Sequence, residues 1–433
     1  MVPTFGGNGP AVSLRRHVGL GAQRHRTDRG SHLAQPSVIR ESLPMVETST
    51  QRLKDTKREI NRRYAKSDDR KALTQVLTAL LCLALAWAVA VWSVSVSLWL
   101  TAAAVGAIGL FTLRAFALMH ECGHRSLFRT QRLNRAFGFV LGVVTGMPQY
   151  VWSQHHDYHH AHNGDWEVYR GPYATPSVDE YAAMSGLQQR LYRLKCHFAA
   201  APVVGFVYLI FNPRFRWLMG SIGLVGHVVA RRVAESDRSM RSLAAGFTTP
   251  YWESWRQYRH MSWNNITLLG VWALMCWKLG PLHFFAIYVI SVSLAGGAGV
   301  LLFAVQHNFE HSYASDTERW DRDYGTIHGT SFLVLPNWLN WFTANIGYHH
   351  IHHLSAQIPN YRLVGCHGEY EGLFAEVTRL KLRHVRHALK YMLWDPRARR
   401  IISLAEYRRQ MVATDRVWAQ PERRPIGFNG YSG

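Results

Sequence analysis

Three clusters of histidine carry the chemistry open to this chain. His120 and His124, in His120-Glu-Cys-Gly-His124, are four residues apart, which on a helix puts both imidazoles on one face at a distance suited to a shared metal ion. In the stretch from Trp152 to Asn163, His156, His159 and His160 fall at i, i+3 and i+4, and His349, His352 and His353 repeat that spacing. Imidazole is a borderline ligand that suits iron, copper and zinc, so donor type alone does not name the metal. Number says more: eight clustered histidines exceed the four-coordinate demand of one structural zinc and suit two metal ions with positions left open for substrate or oxygen. His307 and His311, in Gln306-His-Asn-Phe-Glu-His311, lie one helical turn apart and either could complete the shell. His155 and His350 rank lower as ligands, and isolated histidines such as His227, His283 and His384 read as hydrogen-bonded or surface residues.

The elements that must position these clusters are hydrophobic spans. Residues 72–92 form a largely apolar run of 21 residues with no charged side chain, which at about 1.5 Å per residue crosses the roughly 30 Å hydrocarbon core. Residues 98–119 form a second run, with Arg114 near its end placed to snorkel toward water. Residues 266–277, the Gly280-Pro281 turn and residues 284–305 make a second hairpin. Shorter apolar stretches at 137–147, 199–211 and 331–342 read as interfacial or buried segments. Residues 379–400 alternate basic with apolar side chains, as a helix lying on anionic headgroups or a solvated helix would. The fold expected is therefore an all-α integral membrane protein. It has four transmembrane helices in two hairpins, and a cytoplasmic helical cap holds the di-metal site, each cluster supplying its own metal-facing stripe.

Charge and cysteine usage agree with that placement. The chain carries 49 Lys and Arg against 28 Asp and Glu, a net charge of +21, and nine of the basic residues lie between Arg52 and Lys71, directly before the first span. That is the cytoplasmic flank of the positive-inside rule, and no nucleic-acid module accompanies the charge. Four crossings return the chain to its starting side, so all three clusters share one face. The five cysteines are scattered without CxxC spacing, at least two of them in apolar runs, so they indicate neither a disulfide framework nor a cysteine-rich metal site, and neither a haem-attachment motif nor a GxGxxG loop is present to carry electrons. Residues 1–44, rich in Arg and Gly, are expected to be disordered, with natural translation starting at Met45; 45–71 form a basic cytoplasmic segment, 72–400 the membrane domain and 401–433 a C-terminal tail.

From about Ala72 to Asp395 the chain resembles the membrane fatty acid desaturases, through His120-Glu-Cys-Gly-His124, the second cluster with its following Gly164-Asp165, the Gln306 to His311 element, and the run from Asn345 to Leu363. The third cluster is most similar to the bacterial and plastid acyl-lipid desaturases of the omega-6 type, while Trp166, Tyr169 and the position of His311 depart from that pattern. The resemblance implies a di-iron centre that uses O2 and electrons from a separate donor, such as ferredoxin, to place a cis double bond in a long-chain acyl group. Carried over, the iron ligands are His120, His124, His156, His159, His160, His349, His352 and His353, with His307 matching an extra histidine and His311 beside it. Glu121 and Glu310 become candidates to orient imidazoles from behind. The substrate is an acyl-lipid or acyl-thioester, and the setting a multi-pass protein of the bacterial inner membrane. Members of this scaffold also hydroxylate or form acetylenic bonds, which is the nearest alternative. A metal transporter is more distant, because transport sites sit mid-span and these clusters lie at span ends.

Overall fold

The computed structural model describes residues 43–171 and 173–418; the segment expected to be disordered lies outside them except for its last two residues. Helix α1 (Leu43–Tyr64) packs Leu53 and Ile60 against Ile327, Ile351 and Leu354. Helix α2 (Asp69–Ser93) starts after a short link, where the Asp68 carboxylate accepts the amides of Arg70 at 3.0 Å and Lys71 at 3.2 Å and so satisfies two of the free N–H groups. The chain turns back at residues 94–97 into α3 (Leu98–Gly123), capped by Ser97, and the Ser93 and Thr101 hydroxyls meet across the turn at 2.9 Å. Leu77, Leu81 and Leu85 of α2 are exposed while Val76, Ala79 and Leu83 are buried, the apolar-all-round pattern of a helix with one side in lipid.

Helix α4 (Gln131–Thr145) ends on Gly146, whose φ of +78° turns the chain straight into α5 (Gln149–Ala161), the carrier of the second histidine cluster. Helices α7 (Trp255–Leu279) and α8 (Pro281–His307) form the second hairpin around Gly280. Among the described residues four helices are long and apolar enough to cross a membrane: α2, α3, α8 and a continuous 37-residue helix, α6 (Phe198–Ala234). Two expectations are corrected here. Residues 199–211 are the first part of α6 and not a short interfacial piece. The third long apolar helix is α6 rather than α7, whose first half is diluted by Arg256, Arg259, Asn264 and Asn265.

Helix α6 changes partner along its length. Gly205 meets Gly296 of α8, Arg214 meets Asn265 of α7 and Gly146, and Ser221 meets Tyr258. Pro213 has no N–H to give the preceding turn, which widens into a π-helical stretch at Val207–Phe211. The Arg214 guanidinium supplies the missing donors, to Leu209 O at 2.9 Å and Ile210 O at 3.0 Å, so the backbone groups a break would strand in an apolar setting are paired. Arg114 also departs from expectation. It does not snorkel: it is 2% exposed, donates to Trp341 O and to Gln75 Oε1 at 3.2 Å, and lies over the Trp341 ring at 3.6 Å.

The cap over the ends of α3 and α8 is not purely helical. It contains α9 (His349–Leu354) and α10 (Asn360–Glu369), a parallel pair β1 (Ser331–Val334) and β2 (Thr378–Lys381), and an antiparallel pair β3 (Tyr391–Asp395) and β4 (Arg400–Ser403). Residues 379–400, read as a surface helix, instead form part of β2, two short turns and β3. Leu389 and Leu393 pack with Tyr181, Val305 and Leu333, so these apolar side chains face a protein core and not headgroups. Ile401 and Ile402 of β4 are fully buried, which makes the chain beyond Arg400 continuous with the cap.

Candidate metal centre

Both hairpins start and finish at the cap. The Ser67 hydroxyl before α2 donates to Ser126 O just after α3 at 2.6 Å, and Gln257 near the start of α7 donates to Gln154 of α5 at 3.0 Å. The C-terminal ends of α3 and α8 therefore point their last histidines at α5 and α9, and nine imidazoles converge in two groups. The first holds His120, His124, His156, His160 and His352; the second holds His159, His307, His349 and His353. In each group one ring nitrogen per residue lies within 4.8 Å of all the others. The helical spacing explains the division. On α5 the i, i+4 pair, His156 and His160, faces the first group while His159 turns to the second. On α9 the pair His349 and His353 faces the second group while His352 turns to the first. Each HxxHH cluster thus serves both groups, which corrects the expectation of one stripe per cluster.

The nitrogens face one another without intervening protein. His120 Nε2 lies 2.8 Å from His156 Nε2, His349 Nε2 2.9 Å from His307 Nε2, and His159 Nε2 3.1 Å from His353 Nε2. The groups abut where the His160 and His353 rings stack at 4.2 Å. Burial holds His156, His159, His160, His349, His352 and His353 well below the ordinary imidazole range, and the surrounding imidazoles push the same way. His124 is lowered by burial too, with Asp157 partly opposing. The rings are accordingly neutral near pH 7 and keep a lone pair. Both ring nitrogens of His352 and Nε2 of His124 are buried without a hydrogen-bond partner. Such a cluster of buried, converging lone pairs is costly unless a cation shares them, so the donor set fits two transition-metal ions.

Groups behind the rings fix their orientation. His307 Nδ1 donates to Gly329 O at 3.1 Å, which turns its Nε2 lone pair inward. His120 Nδ1 donates to Glu121 Oε1 at 3.3 Å, and the other carboxylate oxygen accepts Asn360 N at 2.9 Å and Ser126 Oγ at 3.2 Å. Glu121→Gln is expected to weaken metal retention in the first group by about 10- to 100-fold, with the second unaffected, as read by chelator competition on the purified protein; equal retention in both groups would remove Glu121 from this role. His124 Nδ1 lies 3.5 Å from Asp157 Oδ1, a contact missed in sequence although Asp157 sits inside the second cluster. Glu310 and His311 are placed elsewhere. His311 has a φ of +64° and is exposed, outside both groups, and Glu310 is a surface residue 3.9 Å from His387, because α8 stops at His307 and the helical spacing assumed for His311 ends with it. His350 turns away and meets His367 at 3.1 Å.

Aromatic residues wall the centre. Trp152 stacks on His156 at 4.5 Å and donates to the Tyr208 hydroxyl at 2.8 Å, Phe116 packs on Trp152 at 5.4 Å, and Phe303 reaches His159 at 4.9 Å. The result is two adjoining histidine groups able to hold metal at the ends of membrane helices, with an apolar wall. The family model described as fatty acid desaturase matches residues 96–385, and the chain belongs to that family. It is 29% identical over 341 residues, covering 78% of this chain and 88% of the relative, to a fatty acid desaturase of Bacillus subtilis. It is 21% identical to the sn-1 oleoyl-lipid 12-desaturase of Anabaena variabilis, over 72% of this chain and 79% of the relative. With the chloroplastic omega-6 fatty acid desaturase of Arabidopsis thaliana it shares 22% identity over 79% of this chain and 67% of the relative.

Proposed function

We propose that this desaturase introduces a cis double bond into a long-chain acyl group at a di-iron centre held by His120, His124, His156, His160 and His352 on one side and His159, His307, His349 and His353 on the other. The observation that carries the reading is the division of nine neutral imidazoles, seven buried and two half-buried, into two adjoining donor sets. When bound, such an iron pair supplies O2 activation and removal of hydrogen from an unactivated methylene. The chain's own residues do the rest. Trp152, Phe116 and Phe303 offer an acyl chain an apolar surface beside the histidines and keep water from it, at about 0.8 kcal/mol of affinity per buried methylene. Glu121, Asp157 and the Gly329 carbonyl hold His120, His124 and His307 in register.

The site faces the cytoplasm in this reading, because the basic run before α2 lies at the cap end of that helix. Electrons then come from a separate soluble donor of the ferredoxin kind. Expression in a host lacking polyunsaturated lipids, followed by mass spectrometry of its fatty acids, is expected to show a new cis-unsaturated chain. Hydroxylated or acetylenic products with no new double bond would replace this reading by the same-scaffold alternatives.

A further inference from the structure

Beside the first histidine group is a cavity of about 450 Å³, formed where the end of α3 meets α4, α5 and α7. Its lining is lopsided in charge. Arg125, Arg135 and Arg256 are among its lining residues against one carboxylate, Asp157, which lies 3.5 Å from His124 Nδ1. Two of these arginines rest on neutral groups: Arg135 donates to Gln131 Oε1 at 3.1 Å, and Arg256 lies over the Tyr150 ring at 4.8 Å, which also stacks on His260 at 4.2 Å. Its lining follows α7 from Arg256 to Asn264, where that helix passes from charged to apolar side chains. Trp263, in the lining, is 64% exposed, and Ile266 below it and Val140 on α4 are exposed as well. An exposed Trp at a charged-to-apolar step is the mark of the bilayer interface, so the cavity opens where lipid headgroups lie.

We propose that this cavity seats the phosphate-bearing head of an acyl phospholipid, with Arg125, Arg135 and Arg256 taking the phosphate. Guanidiniums recognise phosphate oxygens by charge-assisted, paired hydrogen bonds, and the volume is that of a small-ligand site. A lipid can enter such a site sideways from its own monolayer with its chains against Trp263, Ile266 and Val140, apolar residues that offer nothing to a water-soluble thioester head. The proposal rests on the acyl-desaturase reading and narrows its substrate to a phospholipid whose head is anchored next to the first histidine group.

The test uses the purified full chain in detergent and measures binding by native mass spectrometry. The probes are dioleoyl phosphatidylglycerol and dioleoylglycerol, which has the same chains and no phosphate. Changing Arg125, Arg135 and Arg256 together to alanine is expected to weaken phosphatidylglycerol binding by at least about tenfold, to leave dioleoylglycerol binding within about twofold, and to be largely rescued by lysine at the three positions. Equal phosphatidylglycerol binding by wild type and alanine variant overturns the proposal. Displacement of bound phosphatidylglycerol by oleoyl-coenzyme A at lower concentration than by unlabelled phosphatidylglycerol also overturns it, and gives the site to a thioester. Because binding needs no turnover, arginine-dependent lipid binding by a chain that makes no double bond would count against the proposed activity and not against this site.

Discussion

His352→Ala is expected to abolish double-bond formation, a loss of at least about a hundredfold, and to lower metal content from about two ions per chain to about one. His352 is fully buried and is the one donor that α9 gives to the first group, its ring 4.5 Å from His120, 4.6 Å from His160 and 4.8 Å from His124. Alanine leaves no atom within reach of that space, and the remaining four imidazoles stay on α3, its C-cap and α5. His349 and His353, on the same short helix, stay in the second group, so the two sites should lose metal unequally. Metal analysis of the purified variant beside fatty acid profiles of the expressing cells reads both effects. His350→Asn separates loss of a donor from damage to α9, since His350 is equally buried but faces His367; it should keep metal. Full metal content and product in the His352 variant would mean that the first group is not a metal site.

What could be read from sequence follows from where the information is local. The i, i+3, i+4 spacings of His156, His159, His160 and of His349, His352, His353 are properties of a single helix turn, and α2, α3 and α8 are long unbroken apolar runs, so both survive without tertiary context. The spacing separates the i, i+4 pair of each cluster from its third member, but which group each part joins was not legible, because it depends on which histidines of α3 and α8 lie opposite. Nor was the placement of Glu310 and His311, which turned on where α8 ends. Arg114 looked like a residue reaching for water; its partner, Trp341 O, is 227 residues away. Residues 379–400 alternate basic and apolar side chains in a way that suits a surface helix or an edge strand, and only packing against α8 and the Tyr181 region decides for strands. Helix α6 was cut short in the same way, since Pro213 and Arg214 read as a break until the carbonyls that Arg214 serves are seen.

The largest structural effect is expected at the crossing of α6 and α8. A Cβ built on Gly205 would lie 2.1 Å from the Gly296 carbonyl carbon and 2.2 Å from Gly297 N, and one on Gly296 would lie 2.6 Å from the Gly205 carbonyl carbon. The obstructing atoms are backbone, so no side-chain rotation relieves the contact. Inside a bilayer there is little hydrophobic drive to bring helices together, and close backbone packing through small residues carries much of the association. Gly205→Ala must push the helices apart, at an overpacking cost of about 1–3 kcal/mol, and Gly205→Leu should prevent the pair from closing. Helix α8 ends in His307, which faces His349 at 2.9 Å, so a shift of α8 reaches the second histidine group before the first. The expected result is a Gly205→Ala protein that is recovered in reduced yield, with a lower thermal-aggregation midpoint and metal lost preferentially from the second group, and a Gly205→Leu protein that is not recovered as a monodisperse species on size-exclusion chromatography. Wild-type yield and metal content for the leucine variant would show that α6 and α8 do not cross at Gly205.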